Sequence, residues 1–231
     1  MITLEKLGKK FDTRWIFRNL SLEIARQESS VLIGSSGGGK TVLLKMIAGL
    51  LPIDEGSIQL GSQHIGMLFQ KNALFDSLTL EENLLFPMKE KLGLIGQKAR
   101  SRATYFLKEV GLETSAHLYP NEISGGMQKR LGIARALIVN PKIILYDEPT
   151  AGLDPITSRT IAELIRKLQA EEGNTLLTVT NDIQRAYQLG DRIYLLAQGQ
   201  LLEGGTPAQV KATKDPALRQ FIYGLTEGPL T

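Results

Sequence analysis

Eight residues, G-S-S-G-G-G-K-T from Gly34 to Thr41, carry the spacing G-x-x-x-x-G-K-T of a phosphate-binding loop. Gly34, Gly37, Gly38 and Gly39, with Ser35 and Ser36 between them, let backbone N–H groups curl around a β-phosphate. The N-terminus of a following helix adds positive potential. Lys40 reaches the β and γ oxygens, and the Thr41 hydroxyl can ligate Mg²⁺. A flexible turn is the plain alternative, but the spacing, the Lys-Thr pair and the flanking elements all agree on phosphate. At the end of the apolar run I-I-L-Y stand Asp147 and Glu148. Asp147 suits the water shell of a magnesium ion, and Glu148 suits an attacking water that must lose a proton. Alone, two carboxylates at a strand end read as cap residues; beside a phosphate loop they read as a metal and general-base pair. A second glycine turn, I-S-G-G-M-Q, places Ser124, Gly125, Gly126, Met127 and Gln128 at the start of a helix capped by Ser124. It is a capped helix at least. It also offers a second anion-binding terminus, and with one phosphate loop per chain that second contact needs a second subunit.

These residues require particular elements to hold them. Ser30 to Ile33 reads as a buried strand feeding the phosphate loop, and V-L-L-K-M-I-A-G-L-L as a buried helix ended by Gly49 and Pro52. Ile143 to Tyr146 and Thr175 to Thr180 read as two more buried strands, the first delivering Asp147 and Glu148 to its C-terminal end, where ligands of parallel sheets collect. Short apolar runs alternating with helical spacing indicate an α/β domain with a largely parallel sheet. Between the phosphate loop and Ile143, residues 71–120 show helical patterning punctuated by Pro87 and several glycines. The expected organisation is one domain over 1–231, a helical subdomain inserted at about 71–135, and a short helical tail at about 205–231. In that tail Asp215 caps a helix opened by Pro216.

Composition narrows the possibilities. The 231 residues are 42% hydrophobic, enough for a proper core, and 27 Lys and Arg against 24 Asp and Glu are interspersed with no basic block of nucleic-acid type. No nucleic acid partner is expected. The chain lacks cysteine, and its two histidines, His64 and His117, lie far apart, so neither a thiolate nor a histidine metal site is expected. No window approaches the ~20 apolar residues of a membrane span, and the first ten residues lack a signal-peptide core. Any membrane role is peripheral.

Taken in order, G-S-S-G-G-G-K-T, S-G-G-M-Q, I-I-L-Y-D-E-P and A-G-L-D resemble an ABC-transporter ATPase over essentially the whole chain. The resemblance implies a P-loop NTPase fold with a mostly parallel core sheet, an antiparallel β subdomain and an inserted helical subdomain. It implies a homodimer with two ATP and Mg²⁺ at its interface, each signature turn closing on the γ-phosphate held by the other copy. Gln70 matches the loop glutamine that senses magnesium and touches a membrane permease, Asp154 the dimer-interface aspartate, and Phe11 the aromatic that stacks on adenine. The segment M-L-F-Q-K-N-A-L-F-D-S-L-T-L-E-E-N-L-L-F-P-M is similar to the ATPases of MCE-type lipid transporters, as are D-P-I-T and D-P-A-L-R-Q-F-I-Y-G-L-T-E-G-P. That similarity implies a cytoplasmic homodimer, peripheral on the inner membrane, working with a permease and an MCE-domain protein to move phospholipid. The stop soon after T-E-G-P-L leaves no expectation of the longer exchanged tail of some relatives. The alternatives are an importer ATPase for amino acids or other small solutes, which shares every nucleotide motif, and a regulatory module that binds ATP with little hydrolysis.

Three positions depart from the pattern. Val42 stands where a second hydroxyl usually lies near the α-phosphate, removing one hydrogen bond worth about 0.5–1.5 kcal/mol, although its backbone N–H remains. The interval from Lys40 to Gln70 is short, as if a strand and loop were trimmed. Asn181, followed by Asp182, occupies the place of the γ-phosphate histidine; its amide can donate a hydrogen bond but cannot carry a proton, and both residues are also good helix caps. Slowed but not abolished hydrolysis is the expectation.

Overall fold

The computed structural model describes residues 1–231. Its strands are β1 (Ile2–Phe11), β2 (Arg14–Ile24), β3 (Ser29–Ile33), β4 (Glu55–Leu60), β5 (Ile65–Leu68), β6 (Ile143–Asp147), β7 (Thr175–Thr180), β8 (Arg192–Ala197) and β9 (Gln200–Gly205). The helices are α1 (Lys40–Ile47), α2 (Leu80–Leu92), α3 (Gly96–Glu109), α4 (Gly125–Leu137), α5 (Pro155–Glu172), α6 (Ile183–Leu189), α7 (Pro207–Lys211) and α8 (Pro216–Tyr223). One sheet has the order β5-β6-β7-β3-β8-β9, parallel except for the antiparallel edge strand β9; the other, β2-β1-β4, is antiparallel.

Every residue of β3, β6 and β7 is buried, as strands covered on both faces must be. Successive side chains point to opposite faces, so the same strands feed two cores. Val31, Ile33, Ile144 and Tyr146 join the larger cluster beneath α2–α6, whereas Leu32, Ile143, Leu145 and Leu177 join a second with α1 and the antiparallel sheet. The parallel strands therefore end together, with β3, β6 and β7 in register at Ile33, Asp147, Val179 and Thr180. That shared end is where chemistry can assemble.

Over residues 71–120 the helices are α2 and α3, so residues 71–79 lie outside helix. The cause is local: Thr79 and Glu82 form a reciprocal capping box that starts α2 at Leu80. Pro87 does not punctuate the helix, as its position suggested, but lies inside α2. A proline there costs roughly 3 kcal/mol, which is outweighed by burying Leu80, Leu84 and Met88, each worth about 1.5–3 kcal/mol. Buried Asn83 ties down the preceding segment: it accepts from Phe75 N–H at 2.9 Å and donates to the carbonyls of Phe75, Leu78 and Thr79 at 2.9–3.0 Å. Between Lys40 and Gln70 only α1, β4 and β5 intervene, and residues 61–64 join the last two strands. In the tail, Asp215 caps α8 by accepting from Leu218 N–H, with Pro216 in its first turn.

Candidate functional site

The loop after β3 is shaped by contacts that only glycine allows. A Cβ on Gly34 would lie 2.3 Å from the Leu196 carbonyl oxygen of β8, and one on Gly39, at φ 95°, would lie 2.6 Å from Ile16 Cγ2. The loop borders a cavity of about 240 Å³ lined by Ile16, Ser36, Gly37–Val42, Gln70 and Glu148. That is smaller than the ~300–1,000 Å³ typical of whole small-molecule pockets, so it suits the phosphate end of a nucleotide. Lys40 is buried, its ammonium donating to the carbonyls of Gly34 at 2.8 Å and Ser35 at 2.9 Å. Burial pushes its pKa down, against the pull of Glu148 and Asp147.

Three elements converge on the cavity. The Thr41 hydroxyl at the start of α1 donates to Asp147 Oδ1 at 2.9 Å, joining loop and strand end. Glu148, one residue beyond, sits in the left-handed region at φ 48°, which costs a non-glycine residue roughly 1–2 kcal/mol. Its Oε2 accepts from the Thr180 hydroxyl at 3.0 Å and from Asn181 N–H at 3.3 Å. Gln70 lines the cavity from the end of β5. The oxygens of Thr41, Asp147 and Gln70 form a hard donor set too sparse for an all-protein cage. Such a set fits Mg²⁺ held jointly with substrate phosphates and water.

Burial raises the pKa of both Asp147 and Glu148, opposed by the hydrogen bonds from Thr41 and Thr180. A raised carboxylate destabilises the folded state while ionised; the penalty is full above the folded pKa and disappears as pH falls toward the unfolded value. Glu148→Gln, which cannot ionise, is therefore expected to melt higher than wild type at about pH 8, with the gap closing on acidification. Calorimetry across pH checks this, and a gap independent of pH would show that the ionised carboxylate is not its cause.

The remaining expected residues lie elsewhere. Asn181 is exposed, and its side chain does not cap α6; Asp182 does, accepting from Arg185 N–H at 3.0 Å. Asn181 touches Glu148 through its backbone only. Ser124 caps α4 by accepting from Met127 N–H, but no residue from Ser124 to Gln128 lines the phosphate cavity. That turn packs instead on the next motif, for a Cβ on Gly126 would lie 2.9 Å from Thr157 Cγ2. Asp154 caps α5 there, accepting from the N–H groups of Ile156 and Thr157, and the Thr157 side chain, followed by these N–H groups, holds its carboxyl below the usual range. Phe11 ends β1, exposed, with the Lys9 ammonium 5.3 Å from its ring centroid, and is not part of the lining. Ile16, Thr180 and Lys129 reach the site without having been singled out from the sequence. Only the apolar spacing around them was legible, and it names no chemistry.

Residues 17–151 match the family model described as ABC transporter. The chain is 34% identical to the intermembrane phospholipid transport ATP-binding protein MlaF of Escherichia coli K12, covering 94% of this chain and 86% of that one. It is likewise 34% identical to a probable amino-acid ABC transporter ATP-binding protein of Sinorhizobium fredii (99% and 98% covered). A probable ribonucleotide transport ATP-binding protein of Mycobacterium leprae is 38% identical (99% and 70%). Among solved structures, the ATP-binding cassette MJ0796, a dimer in a post-hydrolysis state with ADP and Pi, matches with TM-score 0.80 and 35% identity over 88% of this chain and 97% of that one.

Proposed function

The chain belongs to the ATP-binding subunits of ABC transporters, and from that premise we propose that it powers phospholipid movement through an MCE-type system. It is an ATPase with the P-loop NTPase fold, and its family acts as dimers with a membrane permease. No helix is long and apolar enough to cross a membrane. The place we propose for it is the cytoplasmic face of the inner membrane, bound to a permease that works with an MCE-domain protein.

In this reading ATP enters with its phosphates over residues 34–42. Lys40 exchanges the Gly34 and Ser35 carbonyls for β- and γ-oxygens, and the N–H groups of the loop and of Val42 supply the remaining donors. Thr41, Asp147 and Gln70 would hold magnesium, which when bound neutralises phosphate charge. Phe11, on the β1–β2 hairpin, stacks on adenine outside the cavity. Glu148 takes the proton of the attacking water, its carboxylate oriented by Thr180 and the Asn181 N–H. The turn Ser124–Gln128 and Asp154 of a second copy close the site from the other side. Residues 71–135 form a helical subdomain that meets the permease, and 205–231 a short helical tail whose Val210, Ala217 and Leu218 join the larger core.

The observation that carries the lipid assignment is the buried Asn83, which shapes the segment between Gln70 and α2 that resembles lipid-transport ATPases. It holds Phe75 against Phe86, both partly exposed with centroids 4.8 Å apart, beside a groove lined by Leu50, Phe69, Pro87 and Arg135. An exposed aromatic pair rimming a groove is a fitting seat for a membrane subunit. Purification of the tagged chain with its membrane partners tests the assignment: a permease, an MCE-domain protein and bound phospholipid support it. Recovery with a solute-binding protein, and ATP turnover stimulated by an amino acid, would replace it with the importer reading.

Because Asp182 alone caps α6, the Asn181 side chain is free to face the γ-phosphate. An imidazole there reaches further than the amide and can donate as a cation, strengthening the hydrogen bond to a charged group, so Asn181→His is expected to raise turnover at saturating ATP by about tenfold. No increase would show that Thr180 and the backbone already supply what the histidine supplies elsewhere.

A further inference from the structure

Lys129 lies in α4, one turn beyond the Ser124 cap, and is only 4% exposed. Its ammonium makes no ion pair. Instead it donates to two backbone oxygens, the Gln70 carbonyl at 2.6 Å and, at a longer 3.5 Å, the Glu148 carbonyl. Burial lowers its pKa against the pull of Asp147 and Glu148, whose carboxylates lie near but do not pair with it directly, so the charge is costly to hold there. A methionine would fill the same space but would supply neither the charge near Asp147 and Glu148 nor the donors that hold the Gln70 and Glu148 carbonyls.

Those donors reach a telling pair of residues. Gln70 and Glu148 are the two lining residues of the cavity outside the phosphate loop and Ile16. They belong to the ends of β5 and β6, while the ammonium holding them projects from the helix that begins with the Ser124–Gln128 turn. Glu148 is already in a left-handed backbone conformation that needs external support. A shift of α4 therefore pulls on both cavity residues through one side chain.

We propose that Lys129 is a positioning residue that fixes Gln70 and Glu148 to the helix of the glycine turn, so that seating the turn on a nucleotide also sets the hydrolytic geometry. It touches no substrate atom. The proposal rests on the reading of Glu148 as general base and adds the link that brings this base under the control of the dimer contact.

Lys129→Met keeps the apolar stem and removes the donors. The loss of a hydrogen bond from a charged donor is expected to lower kcat about tenfold with KM for ATP changed less than about twofold. Amide hydrogen exchange should quicken over residues 66–75 and around Glu148 while residues 34–42 keep wild-type protection, and Lys129→Arg should recover both kcat and protection. If the methionine variant fails to fold, Lys129→Gln, which retains a neutral donor, carries the same measurements. A wild-type kcat with unchanged exchange overturns the proposal, as does a loss confined to KM. Wild-type protein that turns over no ATP would sink the general-base reading alone, leaving the exchange comparison to decide whether Lys129 makes the link.

Discussion

Glu148→Gln is expected to lower ATP turnover by about 10²–10⁴, the range lost with a positioned general base. The substitution preserves shape, and the Gln oxygen can still accept from the Thr180 hydroxyl and the Asn181 N–H, which hold Oε2 at 3.0 and 3.3 Å. The capacity to take a proton goes, together with the negative charge that raises the Lys40 pKa. Lys40, Thr41 and Asp147 are untouched, so nucleotide affinity should remain within a few-fold of wild type and the ATP-bound dimer should persist longer. Single-turnover hydrolysis and equilibrium nucleotide binding, measured side by side, separate the two effects. Equal and negligible rates for both proteins would return the chain to the role of an ATP-binding module without hydrolysis.

Phe106→Ala is expected to cost about 3–5 kcal/mol of folding stability, the range for truncating a buried aromatic. Phe106 is fully buried in α3. Its ring lies 5.0 Å from the Arg102 guanidinium, which also donates to the Ile138 carbonyl just past α4. Truncation opens a cavity and strips that guanidinium of its aromatic neighbour. Against a typical total of about 5–15 kcal/mol, the loss is about a fifth of the stability or more. The adjacent Tyr105, 44% exposed and edge-on to Phe106 with centroids 5.3 Å apart, provides the control, since Tyr105→Ala should cost no more than that pairing, about 0.5–1.5 kcal/mol. Urea unfolding of the two variants measures the difference, and similar midpoints would contradict the burial assigned to Phe106.

The parts of the fold read from the sequence are those in which one local rule decides. The runs at Ile143 and Thr175 are apolar or β-branched at nearly every position because both sheet faces are covered, and they appear as β6 and β7. The phosphate loop was legible because its glycines answer to local demands, the close approach of the Leu196 carbonyl at Gly34 and positive φ at Gly37 and Gly39. The Asp215-Pro216 pair marked a helix start for equally local reasons. What escaped depends on distant partners. Lys129 bonds to residues 59 and 19 positions away, and on a helix of mixed polarity a lysine reads as a solvated side chain. Thr180 was read as a strand residue, although its hydroxyl orients the base 32 positions earlier. Pro87 reads as a helix stop until the apolar face around it is seen to be buried. The choice at Asn181 between capping and contact dissolved because Asp182 took the cap, a matter of one residue's register that pattern cannot settle.

The turn at Ser124 packs against its own A-G-L-D motif and not against its own phosphate loop, which has a genetic corollary. If each nucleotide is clasped by the loop of one copy and the turn of the other, a chain disabled at Lys40 and a chain disabled at Ser124 fail in different halves of a shared site. Either chain alone assembles into dimers with no complete site. When the two are produced together, a mixed dimer places both lesions in one site and leaves the other whole. Two inactive alleles should therefore complement, restoring turnover in the mixture.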